Sequence, residues 1–248
     1  LGGLASLISR IPAKNRLADF PHYLMHRAEQ LENLYIFTNT EGTPENIRKF
    51  HPNIIVSSTG SAPLLPPIAG LKDRIDNENY NIYSILGMIN HINDFPKDLE
   101  GKKVVVVGGG AVGLDVVEFF ADRNADISIV EMMDQIGRDL DPVSKNDTKA
   151  MMKKHNVHQL TKTALLEVKD SSFLVKGDGE PYELPFEYGF VCLGMRAQGQ
   201  LYQSLAEEFS SEDVEIMNIG DSQRARRIID GTQEGRNILT ILEQRGYL

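Results

Sequence analysis

A strand-like run, Lys103-Val-Val-Val-Val107, passes directly into Gly108-Gly-Gly-Ala-Val-Gly113, and an apolar helical stripe follows. Four consecutive valines predict a strand buried on both faces, as in a parallel sheet. Parallel strands need crossover connections, so an α/β fold is expected. The three spaced glycines have separate uses. Gly108 permits the tight turn, Gly110 lets the backbone approach a pyrophosphate, and Gly113 lets the helix pack close to the strand. Ala111 and Val112 open the helix, whose unpaired N–H groups and positive dipole end suit a phosphate. Glu131 ends the next strand, 21 residues after Gly110. The dinucleotide pattern carries an acid there for the ribose hydroxyls. An acid repels a 2′-phosphate, so NADH is expected in preference to NADPH, with Arg138 the nearest base.

The rest of the chain reads as alternating elements. Helices are expected over 21–31, 43–49, 84–95, 111–123, 142–155 and 228–244, with Thr43 and Asp141 as caps and Pro44 and Pro142 in the first turns. Asn124 and Asn156 read as left-handed stops. Strands are expected over 34–39, 54–58, 127–131, 157–160, 188–193 and 214–219. Short runs at 164–169, 173–176 and 182–184, separated by Asp170-Ser-Ser172 and Gly177-Asp-Gly179, predict an antiparallel meander. The Pro-rich stretch 63–70 marks a domain crossover.

Composition excludes several function classes. A net charge of −9 over 248 residues disfavours nucleic acid as a partner. One cysteine, Cys192, rules out a disulfide scaffold, a redox dithiol and a Cys-based zinc or iron–sulfur site in this chain. Cys192 itself reads as inert core. No apolar run approaches a membrane span and no signal peptide opens the chain, so a cytoplasmic protein with no membrane partner is expected. The opening Leu1-Gly2-Gly3 suggests a piece of something longer. His22 and His26 share a helix face but lack further metal ligands. No Gly-x-Ser-x-Gly elbow is present. Arg224, Arg226 and Arg227 form a basic cluster suited to a cofactor phosphate, a domain contact or plain solvation.

Two more strand ends carry signals. Thr59-Gly60 ends one strand and Gly220-Asp221 another, and both could face one crevice beyond the carboxyl ends of a sheet. The order Thr59-Gly60-Ser61-x-Pro63, the glycine loop, Leu193-Gly194 and Ile219-Gly220-Asp221 resembles the FAD- and NAD-dependent pyridine nucleotide–disulfide oxidoreductases. Within them it is most similar to the C-terminal half of NADH:flavin oxidoreductases of the 2,4-dienoyl-CoA reductase, enoate reductase and trimethylamine dehydrogenase type. The resemblance implies two Rossmann-like subdomains, the FAD-type one truncated at its N-terminus. It implies Thr59 and Gly60 near FAD, and Asp221 on the flavin ribityl chain after Gly220. It also implies Gly108, Gly110 and Gly113 at the NADH pyrophosphate, Asp115 near the nicotinamide in a place where relatives carry Glu, and Gly194 on the adenosine side.

The domains expected are 1–82 with 204–248 for the FAD-type part and 83–203 for NAD(H). The earlier glycine loop for FAD is absent here, and so is the catalytic barrel with FMN and an iron–sulfur cluster that the resemblance implies as a partner. The expected function is a fragment passing hydride from NADH to a flavin and electrons onward, inactive in isolation. The alternative is a non-catalytic module holding ADP or NAD, or a docking domain. No side chain is expected to act as a catalytic acid or base.

Overall fold

The computed structural model describes residues 1–247. In chain order it opens with α1 (Gly3–Ile8), a 3₁₀ turn (Pro12–Ala18), α2 (Asp19–Glu29) and α3 (Pro44–Arg48). The Thr43 hydroxyl accepts from Asn46 N–H and starts α3, as its sequence predicts. Then come β1 (Ile54–Ser57), β2 (Ser61–Pro63), α4 (Leu71–Arg74), β3 (Ile82–Tyr83) and α5 (Ile85–Asn90). The central run is β4 (Lys103–Val107), α6 (Ala111–Ala121), β5 (Asp126–Val130), α7 (Pro142–Lys154) and β6 (His158–Leu160). It is followed by the meander β7 (Ala164–Val168), β8 (Ser172–Lys176) and β9 (Tyr182–Pro185), and by β10 (Tyr188–Val191). The chain closes with β11 (Met195–Ala197), α8 (Gln200–Glu208), β12 (Glu215–Asn218), a 3₁₀ turn (Gly220–Ser222) and α9 (Ile228–Gln244).

The fold is α/β, and the chain divides into two compact units. The larger comprises Leu7–Arg16 and Pro63–Gly194. Its sheet is five-stranded and parallel, in the order β3-β10-β4-β5-β6. The β4 valines are at most 3% exposed, as expected for a central parallel strand. α6 packs Val116, Val117 and Phe120 into the core on one face. The meander β7-β8-β9 packs Phe173 and Val175 with Val105, Val107 and Val191 on the other. Each such side chain, fully buried, contributes about 1.5–3 kcal/mol. The left-handed stops predicted at Asn124 and Asn156 are present, with φ of 62° and 53°. The span 83–203 expected for NAD(H) overlaps this unit, which runs from Pro63 to Gly194 and includes residues 7–16, with Ile11 1% exposed in its core.

The smaller unit comprises Leu1–Ser6, Leu17–Ala62 and Met195–Leu248. β1 and β12 form a two-stranded parallel ladder, with Ile55 opposite Ile216. Its buried cluster is Ile55, Leu205 and Phe209. The strand expected over 34–39 does not form. An extended segment becomes a strand only beside a hydrogen-bonding neighbour, and among the described residues none lies there. Tyr35 and Phe37 are 78% and 61% exposed in consequence. The helix expected over 84–95 ends at Asn90, and the remainder is turn. Among the described residues no helix is long and apolar enough to cross a membrane.

Candidate functional site

The parallel strands of the larger unit fix where a ligand can sit. Val107 at the end of β4 lies opposite Val130 of β5 and Val191 of β10. Beyond these three carboxyl ends is a cavity of about 570 Å³, the size of a small-molecule site. Six of the residues expected to bind a cofactor line it: Gly108, Gly110, Ala111, Val112, Glu131 and Gly194. Ile68, Leu165 and Leu193 add apolar wall. Sequence reasoning missed Ile68 and Leu165, because nothing local says which end of the sheet they reach; Leu193 entered it only through the Leu193-Gly194 motif.

The three loop glycines are glycine for different reasons. Gly108 has φ of +109°, and a Cβ there would stand 2.1 Å from the Cys192 carbonyl oxygen. A Cβ on Gly113 would stand 1.9 Å from the Gly108 carbonyl oxygen, so α6 can approach β4 only without one. Gly110 differs. Its φ of −79° and ψ of −178° suit any residue, and among the described residues no side chain or backbone beyond the adjoining stretch of chain comes within 4 Å of where its Cβ would be. The protein itself does not require glycine at 110, whereas a ligand lying against the backbone would.

Glu131 braces this loop. One carboxylate oxygen accepts from Gly109 N–H at 2.6 Å and the other from Met133 N–H at 2.7 Å. Gly137 N–H donates to the Gly109 carbonyl at 2.7 Å, tying the 131–141 segment to the same turn. α6 begins with Leu114 N–H donating to the Gly110 carbonyl at 3.0 Å. The first-turn amides before it have no partner within the helix, and that is the feature that holds anions. Each Glu131 oxygen has a further lone pair for a ligand hydroxyl.

Asp115 stands apart. It lines a neighbouring cavity of about 370 Å³, which shares Ala111 with the first. There Lys14 lies 3.0 Å from Asp115 and 3.3 Å from Glu118. Burial pushes the Asp115 carboxyl up, against the pull of Lys14. Burial works against the Lys14 charge, but pairing with Asp115 and Glu118 outweighs it and raises its pKa. Lys14 was not singled out from sequence, because its partners lie far along the chain.

In the smaller unit the two expected strand ends do meet. The Ser61 hydroxyl, not Thr59, donates to one Asp221 oxygen at 3.0 Å, and Arg226 N–H donates to the other at 3.0 Å. The Thr59 hydroxyl donates to the Gln198 carbonyl, and Gln198 N–H donates to the Gly60 carbonyl at 2.9 Å. Gly60 and Gly220 hold φ of +77° and +65°. Of the basic cluster, Arg226 pairs with Glu234 at 2.5 Å and Arg227 with Asp230 at 3.6 Å.

Cys192 lies under the loop, and burial pushes its thiol up to about 12, with Asp115 and Asp76 adding to the effect. It is expected to resist a thiol reagent at pH 8 in the native chain and to react stoichiometrically in denaturant. Rapid native labelling would contradict its placement.

Comparisons with known proteins agree with this architecture. The pyridine nucleotide-disulphide oxidoreductase family profile matches residues 32–217. The chain is 26% identical to a metal reductase of Desulforamulus reducens over 95% of this chain and 38% of the relative. It is 25% identical to an NADH oxidase of Thermoanaerobacter brockii over 95% of this chain and 35% of the relative. A 2-naphthoyl-CoA reductase structure superposes with a TM-score of 0.77 at 21% identity, over 94% of this chain and 33% of that one. A histamine dehydrogenase structure from Rhizobium sp. 4-9 gives 0.70 at 15% identity, over 92% of this chain and 36% of that one. The likeness to solved structures shows the fold. The chain thus spans little more than a third of the relatives' length. A profile covering most of the chain, over a glycine loop at the carboxyl edge of a parallel sheet, establishes the membership that the motifs anticipated: the chain belongs to the pyridine nucleotide-disulphide oxidoreductase family.

Proposed function

We propose that the larger unit binds NADH and presents its nicotinamide to a flavin, within an NADH:flavin oxidoreductase of which this chain forms part. The observation that carries this reading is the open cradle at Gly110, a glycine that no protein neighbour demands, at the start of α6 beside an acid. In this reading the first-turn amides of α6, from Ala111, Val112 and Gly113, hold the pyrophosphate. Gly108 keeps the turn tight. Glu131 accepts the adenosine ribose hydroxyls and disfavours a 2′-phosphate. Gly194 leaves room on the adenosine side, and Asp115, paired with Lys14, stands toward the nicotinamide side.

The flavin is FAD, taken by the smaller unit. Thr59 and Gly60 lie near it, and Asp221, following Gly220, accepts a ribityl hydroxyl. Ser61 and the Arg226 amide each satisfy one Asp221 oxygen and leave acceptor capacity on both, so the residues fit a polyol. Hydride transfer from dihydronicotinamide to flavin is the chemistry that the bound cofactors supply. This chain binds, aligns and excludes water. The smaller unit's thin core and exposed Tyr35 and Phe37 support a further polypeptide covering it, as expected of a larger parent enzyme with its own centre, FMN or iron–sulfur. The same thin core favours a second reading, in which the isolated chain binds nucleotide without turnover.

Anaerobic NADH addition to the FAD-supplemented chain separates the two. Bleaching of flavin absorbance near 450 nm is expected from a competent pair, using an order-of-magnitude excess of NADH (about tenfold). A thermal shift with NADH but no bleaching would support the binding module. No shift with any nucleotide would overturn both.

A further inference from the structure

The turn that carries Asp221 is held by a residue to which neither motif nor composition drew attention. α9 brings Glu234 against the Gly220–Ser222 turn. One Glu234 oxygen accepts from Gly220 N–H at 2.6 Å, and the other accepts from the Arg226 guanidinium at 2.5 Å. The loop closes on itself, because the Arg226 backbone N–H donates to Asp221 at 3.0 Å. Glu234 is thus bonded to the residue before Asp221 and, through Arg226, to the carboxylate of Asp221.

The helix face fits this role. Gly231, one turn before Glu234, lies where a Cβ would come 3.6 Å from the Gly220 Cα, so the helix packs directly on the turn. Gly220 itself needs its φ of +65°, a conformation that few other residues hold without strain. The Gly220 amide is the point at which such a turn can be pinned. Arg226 lowers the Glu234 pKa first and the Gly220 amide second, so the acid stays charged. The Glu234 and Arg226 side chains are 29% and 28% exposed, so the pair is partly sheltered from solvent.

We propose that Glu234, held by Arg226, is a positioning residue: it pins the Gly220 amide and so sets the direction in which Asp221 offers its carboxylate to a hydroxylated ligand. The proposal rests on the reading that Asp221 takes a ribityl hydroxyl of FAD. Glu234 touches no ligand in this account.

The test uses the full chain as wild type, Glu234→Ala and Glu234→Gln. Three quantities are read for each: FAD affinity by fluorescence quenching, NADH affinity by calorimetry, and the ¹H–¹⁵N position of the Gly220 amide. Glu234→Ala is expected to move the Gly220 resonance upfield and to weaken FAD about tenfold, as for loss of a charge-assisted hydrogen bond. NADH affinity, read in the other unit, is expected to be unchanged. Glu234→Gln keeps an acceptor for Gly220 and is expected to recover most of the FAD affinity. A shifted Gly220 resonance with unchanged FAD affinity would overturn the positioning role, and so would an unchanged resonance. If the wild type takes no FAD, the flavin reading fails and the positioning role falls with it, whereas wild-type FAD binding that Glu234→Ala leaves unchanged overturns the positioning role alone.

Discussion

Replacement of Glu131 by alanine is expected to weaken NADH binding by tenfold to a hundredfold and to abolish the preference over NADPH. Two contributions act together. The variant loses the acceptor for the ribose hydroxyls, and it frees the Gly109 and Met133 amides that Glu131 holds at 2.6 and 2.7 Å. A hydrogen bond to a charged group is worth about 1.5–3 kcal/mol, and about 1.4 kcal/mol is tenfold in affinity. The side chain is half-buried, which sets the expectation at the lower end of the sum. Glu131→Gln separates the two contributions. It keeps one oxygen as an acceptor but loses the charge that repels a 2′-phosphate, so NADH should weaken less while selectivity collapses. Calorimetric titration of both nucleotides checks this. NADPH binding the wild type as tightly as NADH would refute the role given to Glu131.

The second large effect is at Gly113. An alanine there brings a methyl group to 1.9 Å from the Gly108 carbonyl oxygen, a backbone atom that can move only with the loop. Overpacking of this kind costs about 1–3 kcal/mol, or roughly 3–10 °C in melting temperature for a chain of this size. Because the displaced atom belongs to the nucleotide loop, NADH affinity should fall with stability. A Gly113→Ala chain with wild-type melting and wild-type affinity would mean that α6 does not lie on the loop as described.

What sequence could and could not reveal follows from the range of the interactions involved. The Val104–Val107 run, the glycine spacing and the acid at 131 are local patterns, each tied to one backbone conformation, and the larger unit's sheet follows from them. Caps at Thr43 and Asp141 and the left-handed Asn124 and Asn156 were legible for the same reason. Segment 34–39 has strand chemistry, yet strand formation depends on a neighbour that the segment itself does not encode. Lys14 at Asp115 and Glu234 at Gly220 were invisible because each partnership is made by the fold. Ser61, rather than Thr59, reaching Asp221 is a matter of which side chain points inward at a strand end. The site was therefore legible in its backbone cradle and in Glu131, and illegible in the side chains, Lys14 and Glu234, that the fold brings in from elsewhere.

The account rests on the Gly110 cradle being a nucleotide site, and Gly110→Ala tests that most directly. Its backbone conformation suits alanine, and among the described residues nothing beyond the adjoining stretch of chain lies within 4 Å of the added methyl group. Melting temperature should therefore stay within about 3 °C of wild type. Calorimetric titration of NADH should show one saturable site in the wild type, and in Gly110→Ala a loss of affinity of about a hundredfold, because the methyl group stands where the pyrophosphate lies. A wild type that takes up no NADH, or a Gly110→Ala chain that binds it equally well, would contradict the account.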